Sequence, residues 1–145
     1  MEKSDKALGY FRNKLNCSQA VFASLGQDSG ISEDECLKIG CAFGGGMGRQ
    51  QYTCGAVTGA LMAIGLKHGK AMNDPDDKKE DTYNRTRDFF QKFKEMNGSV
   101  NCKDLLEGLD MNDPDDHRII MEKKLFDIKC EKYVKDAVRL AESII

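Results

Sequence analysis

Six cysteines, Cys17, Cys36, Cys41, Cys54, Cys102 and Cys130, are the residues of this 145-residue chain best suited to chemistry. A thiolate attacks disulfides, reacts with oxidants and binds metals, whereas a neutral buried thiol packs as a small hydrophobe. No two of the six have the C-x-x-C spacing of a thioredoxin-like motif, a zinc knuckle or a ferredoxin cluster. Any site they share has to be assembled by the fold from distant segments.

Their neighbours suggest which ones take part. Cys17 follows Asn16, Cys54 follows Thr53, Cys102 follows Asn101, and Cys130 comes shortly after Asp127. Each is expected in the first turn of a helix, where free N–H groups and the helix dipole favour an anion. That placement lowers a thiol's pKa. Cys36 and Cys41 fall within or late in the helix opened by Ser32 and are expected to be buried small hydrophobes. The two histidines, His68 and His117, fall at a helix end and in an acidic helix start. Neither has a sequence partner that would make a cysteine–histidine hydrolase.

The run Gly44-Gly45-Gly46-Met47-Gly48-Arg49 leads toward Cys54-Gly55-Ala56-Val57-Thr58-Gly59. No Gly-Lys-Ser/Thr follows the glycines and no G-x-G-x-x-G follows a strand, so nucleotide binding has no support. Gly45, Gly46, Gly48 and Gly55 are instead expected to let backbone N–H groups reach an anion or a cluster sulfide. Gly55 and Gly59, with Ala56, Ala60 and Ala63, make a small-residue face. Such a face admits close helix packing, within the chain or in a homodimer. Arg49 adds a positive charge beside the loop, or is an ordinary surface residue.

The elements that position these residues read as helices. Ser4, Asn16 and Thr53 are candidate caps, and Ser32-Glu33-Asp34-Glu35 has the capping-box form. MNDPDD occurs at 72–77 and again at 111–116, each copy suited to open a helix with an Asp cap and Pro in the first position. Tyr83, Thr86, Phe89, Phe90, Phe93 and Met96 share a face of the helix that ends before Gly98. Tyr133, Val134, Ala137, Val138, Ala141 and Ile144 do so on the last helix. No segment sustains period-two alternation. The expected fold is an all-α single-domain bundle of roughly seven helices over residues 1–145.

Hydrophobic residues make up 40% of the chain and charged residues 32%, enough for a core that needs no disulfide or metal support. The 22 basic and 24 acidic side chains leave a net charge of -2, without the basic stripe that nucleic acid or an anionic membrane surface requires. The least polar stretch, residues 54–66, is too short and glycine-rich to span a bilayer. The charged N-terminal segment lacks the apolar run of a secretory signal. A cytoplasmic location, with reduced thiols, is the expectation.

With these residues in place, the chain resembles the C_GCAxxG_C_C family of redox-active proteins. The resemblance rests on Asn16-Cys17, the glycine loop through Arg49, Cys54-Gly55-Ala56-Val57-Thr58-Gly59, Cys102-Lys103-Asp104-Leu105-Leu106, and Cys130 with Tyr133-Val134. The literal string in the family's label also fits Gly40-Cys41-Ala42-Phe43-Gly44-Gly45. The register at Cys54 is preferred because the glycine loop precedes it; in the other register Cys41 joins the site.

The resemblance implies redox activity carried by Cys17, Cys54, Cys102 and Cys130. They would act as reversible thiol/disulfide pairs or as ligands of an iron–sulfur cluster, in electron transfer with another oxidoreductase or electron carrier. The alternatives are a structural zinc ion on the same four cysteines and a non-catalytic helical interaction module. No C-x-x-C-H is present for covalent haem.

Overall fold

A computed structural model describes all residues, 1–145, and it is all-α: the sole β pairing is a single antiparallel bridge between Thr53 and Asn101. Seven helices have nine residues or more: α1 (Lys3–Arg12), α2 (Cys17–Gly26), α3 (Glu33–Cys41), α5 (Gly55–His68), α6 (Asp77–Asn97), α8 (Pro114–Glu122) and α9 (Glu131–Ile144). Two single turns, α4 (Gly44–Met47) and α7 (Cys102–Leu105), lie between them.

The bundle is organised around α2 and α5. Asn16 caps α2 with a full capping box: its side chain accepts from Gln19 N–H at 2.9 Å, and Gln19 Oε1 accepts from Asn16 N–H at 2.8 Å. From Ser18 to Gly26 every residue of α2 is buried, as expected of a helix apolar on all sides. α5 crosses it closely because its contact residue is Gly59. A Cβ at Gly59 would lie 2.8 Å from the Ser18 carbonyl oxygen. The small-residue face therefore serves an intramolecular contact. α1, α3, α6 and α9 close around this pair, and Phe89, Phe93 and the α9 face from Tyr133 to Ile144 complete the main core.

Cys102, Leu106, Ile120 and Leu125 form a second, smaller core beneath α7 and α8. Cys54 belongs to the main core, Cys102 to the small one, and Cys130 packs against both. Three of the candidate cysteines thus lie at the seam between two apolar clusters.

Several local expectations are corrected. Ser4 lies inside α1, with Glu2 in the cap position. The second MNDPDD copy opens α8 as expected, Asp113 accepting from Asp116 N–H at 2.9 Å with Pro114 in the first turn. In the first copy Asp74 instead accepts from Ala71 N–H at 2.8 Å, so its carboxylate is engaged upstream and α6 begins at Asp77. Thr53 does not cap α5: it is taken up in the bridge to Asn101, and Cys54 occupies the cap position. Cys130 is not at a helix start. It ends a π-helical turn, Phe126–Cys130, that runs directly into α9 with helical dihedrals. No helix is long and apolar enough to cross a membrane.

Candidate functional site

The glycine loop is the least ordinary backbone in the chain. Gly45, Gly46, Met47, Gly48, Arg49 and Gln51 all have φ between 58 and 71°. Glycine takes this conformation freely, whereas a residue with a side chain is held in it at a cost on the order of 1 kcal/mol or more. What holds it is Gln51. Its buried side-chain amide donates to Leu109 O at 2.8 Å and accepts from Met111 N–H at 2.9 Å. Asn112 Nδ2 donates to Arg49 O at 2.8 Å. The loop is thereby clamped to the segment that follows α7.

The chain then runs from Gln51 into the bridge with residues 100–102. Cys54 N–H donates to Val100 O at 2.8 Å, and Cys102 N–H donates to Tyr52 O at 2.7 Å. Two backbone hydrogen bonds therefore tie the Cys54 and Cys102 segments side by side. Gly46 makes room: a Cβ there would lie 2.8 Å from Cys102 Cβ and 2.7 Å from Gln51 Cα.

Cys17, first residue of α2, points its sulfur at the start of α5, against Gly55, where an added Cβ would overlap it. The neighbouring Cys54 thiol and the backbone of Gly45, Ser18 and Cys17 itself favour the ionised form of this sulfur. These groups, with the Cys54 thiol the largest contributor, outweigh burial and bring the Cys17 pKa down from 9.0 to about 7. Cys54 is the counterpart. Its neighbour Cys17 holds the proton on it, and burial adds to this, so its pKa lies well above the ordinary value.

Cys102 and Cys130 line the same cavity. Burial, then the charge on Cys17, pushes Cys102 up to about 12 and Cys130 further still. The expectation that four helix-start positions would lower four pKa values holds for Cys17 alone. Cys54, Cys102 and Cys130 face a mostly apolar cavity, where loss of solvation exceeds what a few peptide dipoles return.

All four cysteines line one cavity of about 520 Å³, and so does Cys41. Cys41 is exposed rather than buried; it ends α3 at the mouth of the cavity, next to the Asn16 side chain that donates to its carbonyl at 2.9 Å. Its position in the last turn before Ala42-Phe43-Gly44 was the available signal for exposure. Cys36 is fully buried elsewhere in the core. Among the glycines singled out, Gly45, Gly48 and Gly55 line the cavity and Gly46 supports Cys102 from behind. Tyr133, read as a core residue, also reaches the wall, its hydroxyl donating to Leu105 O at 2.8 Å.

No three cysteine, histidine, aspartate or glutamate side chains stand close enough together to hold one metal ion.

Comparison with known proteins agrees with the cysteine pattern. The family described as "Putative redox-active protein (C_GCAxxG_C_C)" matches residues 15–144. An uncharacterized protein of Archaeoglobus fulgidus is 31% identical over 133 residues, covering 84% of this chain and 88% of that protein. No solved structure matches. Because the match takes in every cysteine and nearly the whole length, the chain belongs to the C_GCAxxG_C_C family.

Proposed function

We propose that the protein is a thiol/disulfide redox protein in which Cys17 is the attacking sulfur and Cys54 the sulfur that resolves the intermediate. The observation that carries this reading is that the Cys17 sulfur lies against Gly55, the neighbour of Cys54, on the wall of one cavity, and that Cys17 is the one cysteine of the four whose pKa is lowered. A thiol with a pKa near ambient pH combines a substantial thiolate fraction with good nucleophilicity. The Cys17 thiolate attacks one sulfur of a disulfide, forming a mixed disulfide and expelling the other sulfur as a thiolate. Cys54 then loses its proton to that thiolate and attacks Cys17, closing a Cys17–Cys54 disulfide and releasing the second half as a thiolate. The pair gives up two electrons and the Cys54 proton, the substrate leaves as one thiol and one thiolate, and an external protein dithiol returns the electrons and the proton.

The convergence of Cys17, Cys54, Cys102 and Cys130 on one cavity from distant segments favours a second reading. The donor chemistry fits an iron–sulfur cluster held by these four cysteines, whose ligands are spread over more than one iron. Such a group would supply one-electron transfer, with the backbone of Gly45 and Ser18 favouring the thiolate form of its Cys17 ligand.

The deciding experiment is purification under argon, iron and sulfide analysis, then mild oxidation and mapping of the disulfide by mass spectrometry. The dithiol reading expects a protein free of iron and a single Cys17–Cys54 disulfide. Stoichiometric iron and sulfide would replace it with the cluster reading, and an oxidised protein with its disulfide elsewhere would overturn it.

A further inference from the structure

The thiolate reading leaves open what reaches Cys17, and the cavity wall is informative on this point. Its volume is within the range that small organic ligands fill. The lining includes Phe11, Leu105, Leu106, Met111 and Phe126. Although the chain carries 24 acidic side chains, none lines the cavity, and its one formally charged wall residue is Arg49.

Arg49 is placed with unusual care for an exposed residue. It has φ 63°, its carbonyl is held by Asn112, and its side chain lies over Gly45, where a Cβ would come within 2.9 Å of Arg49 Cγ. Gly45 is among the residues whose backbone favours the ionised Cys17 sulfur. Arg49 takes part in no ion pair and donates no hydrogen bond from its guanidinium. Backbone held in a costly conformation beside a reactive group is where binding residues concentrate. A guanidinium fork without a partner suits a carboxylate.

We infer that the cavity takes a low-molecular-weight organic disulfide bearing a carboxylate, its apolar arm against Leu105, Met111 and Phe126, its carboxylate on Arg49 and one sulfur at Cys17. This assignment rests on the thiol/disulfide reading and names its substrate class. The chemistry is the exchange already written: Cys17 forms a mixed disulfide with one half of the substrate, the other half leaves and takes the Cys54 proton, and Cys54 displaces the second half as a thiolate. Arg49 binds and orients the substrate and exchanges no proton or electron.

Three probes of similar size and different charge test it. Stopped-flow rates of Cys17 mixed-disulfide formation are compared for 3,3′-dithiodipropionate (a dianion), bis(2-hydroxyethyl) disulfide (uncharged) and cystamine (a dication). Each rate is divided by the rate of a free thiol of matched pKa, which removes the probe's intrinsic reactivity. The net charge of -2 would by itself draw in cystamine, so a preference for the dianion reports the wall.

The expected result is a preference of about tenfold for the dianion over cystamine at low ionic strength, weakening with salt. Arg49→Gln is expected to abolish that ratio and Arg49→Lys to keep part of it. Reaction of Cys17 with all three probes without charge preference, or a preference unchanged in Arg49→Gln, overturns the substrate assignment and leaves the thiol/disulfide reading standing. A Cys17 no faster than the free thiol toward every probe overturns both.

Discussion

The sulfur of Cys17 occupies the space that a side chain on Gly55 would need. The first residue of α2 and the first residue of α5 are thus fitted to each other, sulfur against bare Cα, and Cys54 sits immediately before that glycine as the α5 cap. Gly55→Ala is expected to displace the Cys17 sulfur while leaving the helices formed. Overpacking of this kind costs about 1–3 kcal/mol. A lower urea midpoint together with a slower Cys17 alkylation rate at pH 7 would check it; wild-type alkylation in the variant would show that the contact has no chemical consequence.

Removing the Cys54 thiol separates the two roles assigned to the pair. In Cys54→Ala the largest contributor to the lowered Cys17 pKa is gone, so that pKa is expected to rise from about 7 toward the ordinary 9.0. Without a resolving sulfur, the mixed disulfide of Cys17 with a small disulfide should accumulate and persist, detectable as an adduct by intact mass. In Cys17→Ser no such adduct should form on the remaining cysteines at neutral pH.

The cavity thiols give stability a pH dependence of two opposite signs. Cys17, lowered to about 7, contributes stability that is present above the ordinary value of 9.0 and lost as pH falls through 7. Cys102, raised to about 12, contributes stability present below 9.0 and lost as pH rises toward 12. The difference in urea midpoint between wild type and Cys17→Ser is therefore expected to grow from pH 7 to pH 9 and then level off. A difference that does not change with pH would mean that Cys17 is not ionised in the folded protein.

Tyr133 links the last helix to α7 through its hydroxyl bond to Leu105 O, at the end of the turn that begins with Cys102. Tyr133→Phe leaves that carbonyl without its buried partner, a loss of about 1–3 kcal/mol. Equilibrium unfolding should register it, and Cys102 should become more accessible to alkylation in the same variant. An unchanged midpoint would show that the carbonyl finds another donor.

What was legible in the sequence follows local chemistry. Asn16, Ser32 and Asp113 are caps whose side chains act within three residues, and each caps as its neighbours suggest. Helical periodicity on α6 and α9 gave the core, including Phe89, Phe93 and Val134. The positions that escaped depend on partners far away in the chain. Thr53 looks like a cap until Asn101 is placed beside it. Cys130 looks like a helix start because Asp127 precedes it, yet the π-helical turn carries the helix through both.

The candidate site divides along the same line. The unusual backbone of the glycine loop was legible from composition, and Gly45 and Gly48 line the cavity with left-handed dihedrals. Which cysteine would be activated was not legible, because it depends on the Cys54 thiol and on burial, both set by tertiary packing. Cys41 was misplaced for a simpler reason: an apolar-looking helix end can face the mouth of a cavity as readily as the core.

The most direct measurement is the rate of iodoacetamide labelling at each cysteine, resolved by peptide mapping, from pH 5 to pH 10 under reducing, anaerobic conditions. The expected profile has Cys17 titrating near 7, while Cys54, Cys102 and Cys130 stay unreactive below pH 9 in the folded protein. A Cys17 midpoint near 9.0, or labelling of all four at matched rates, would contradict the account.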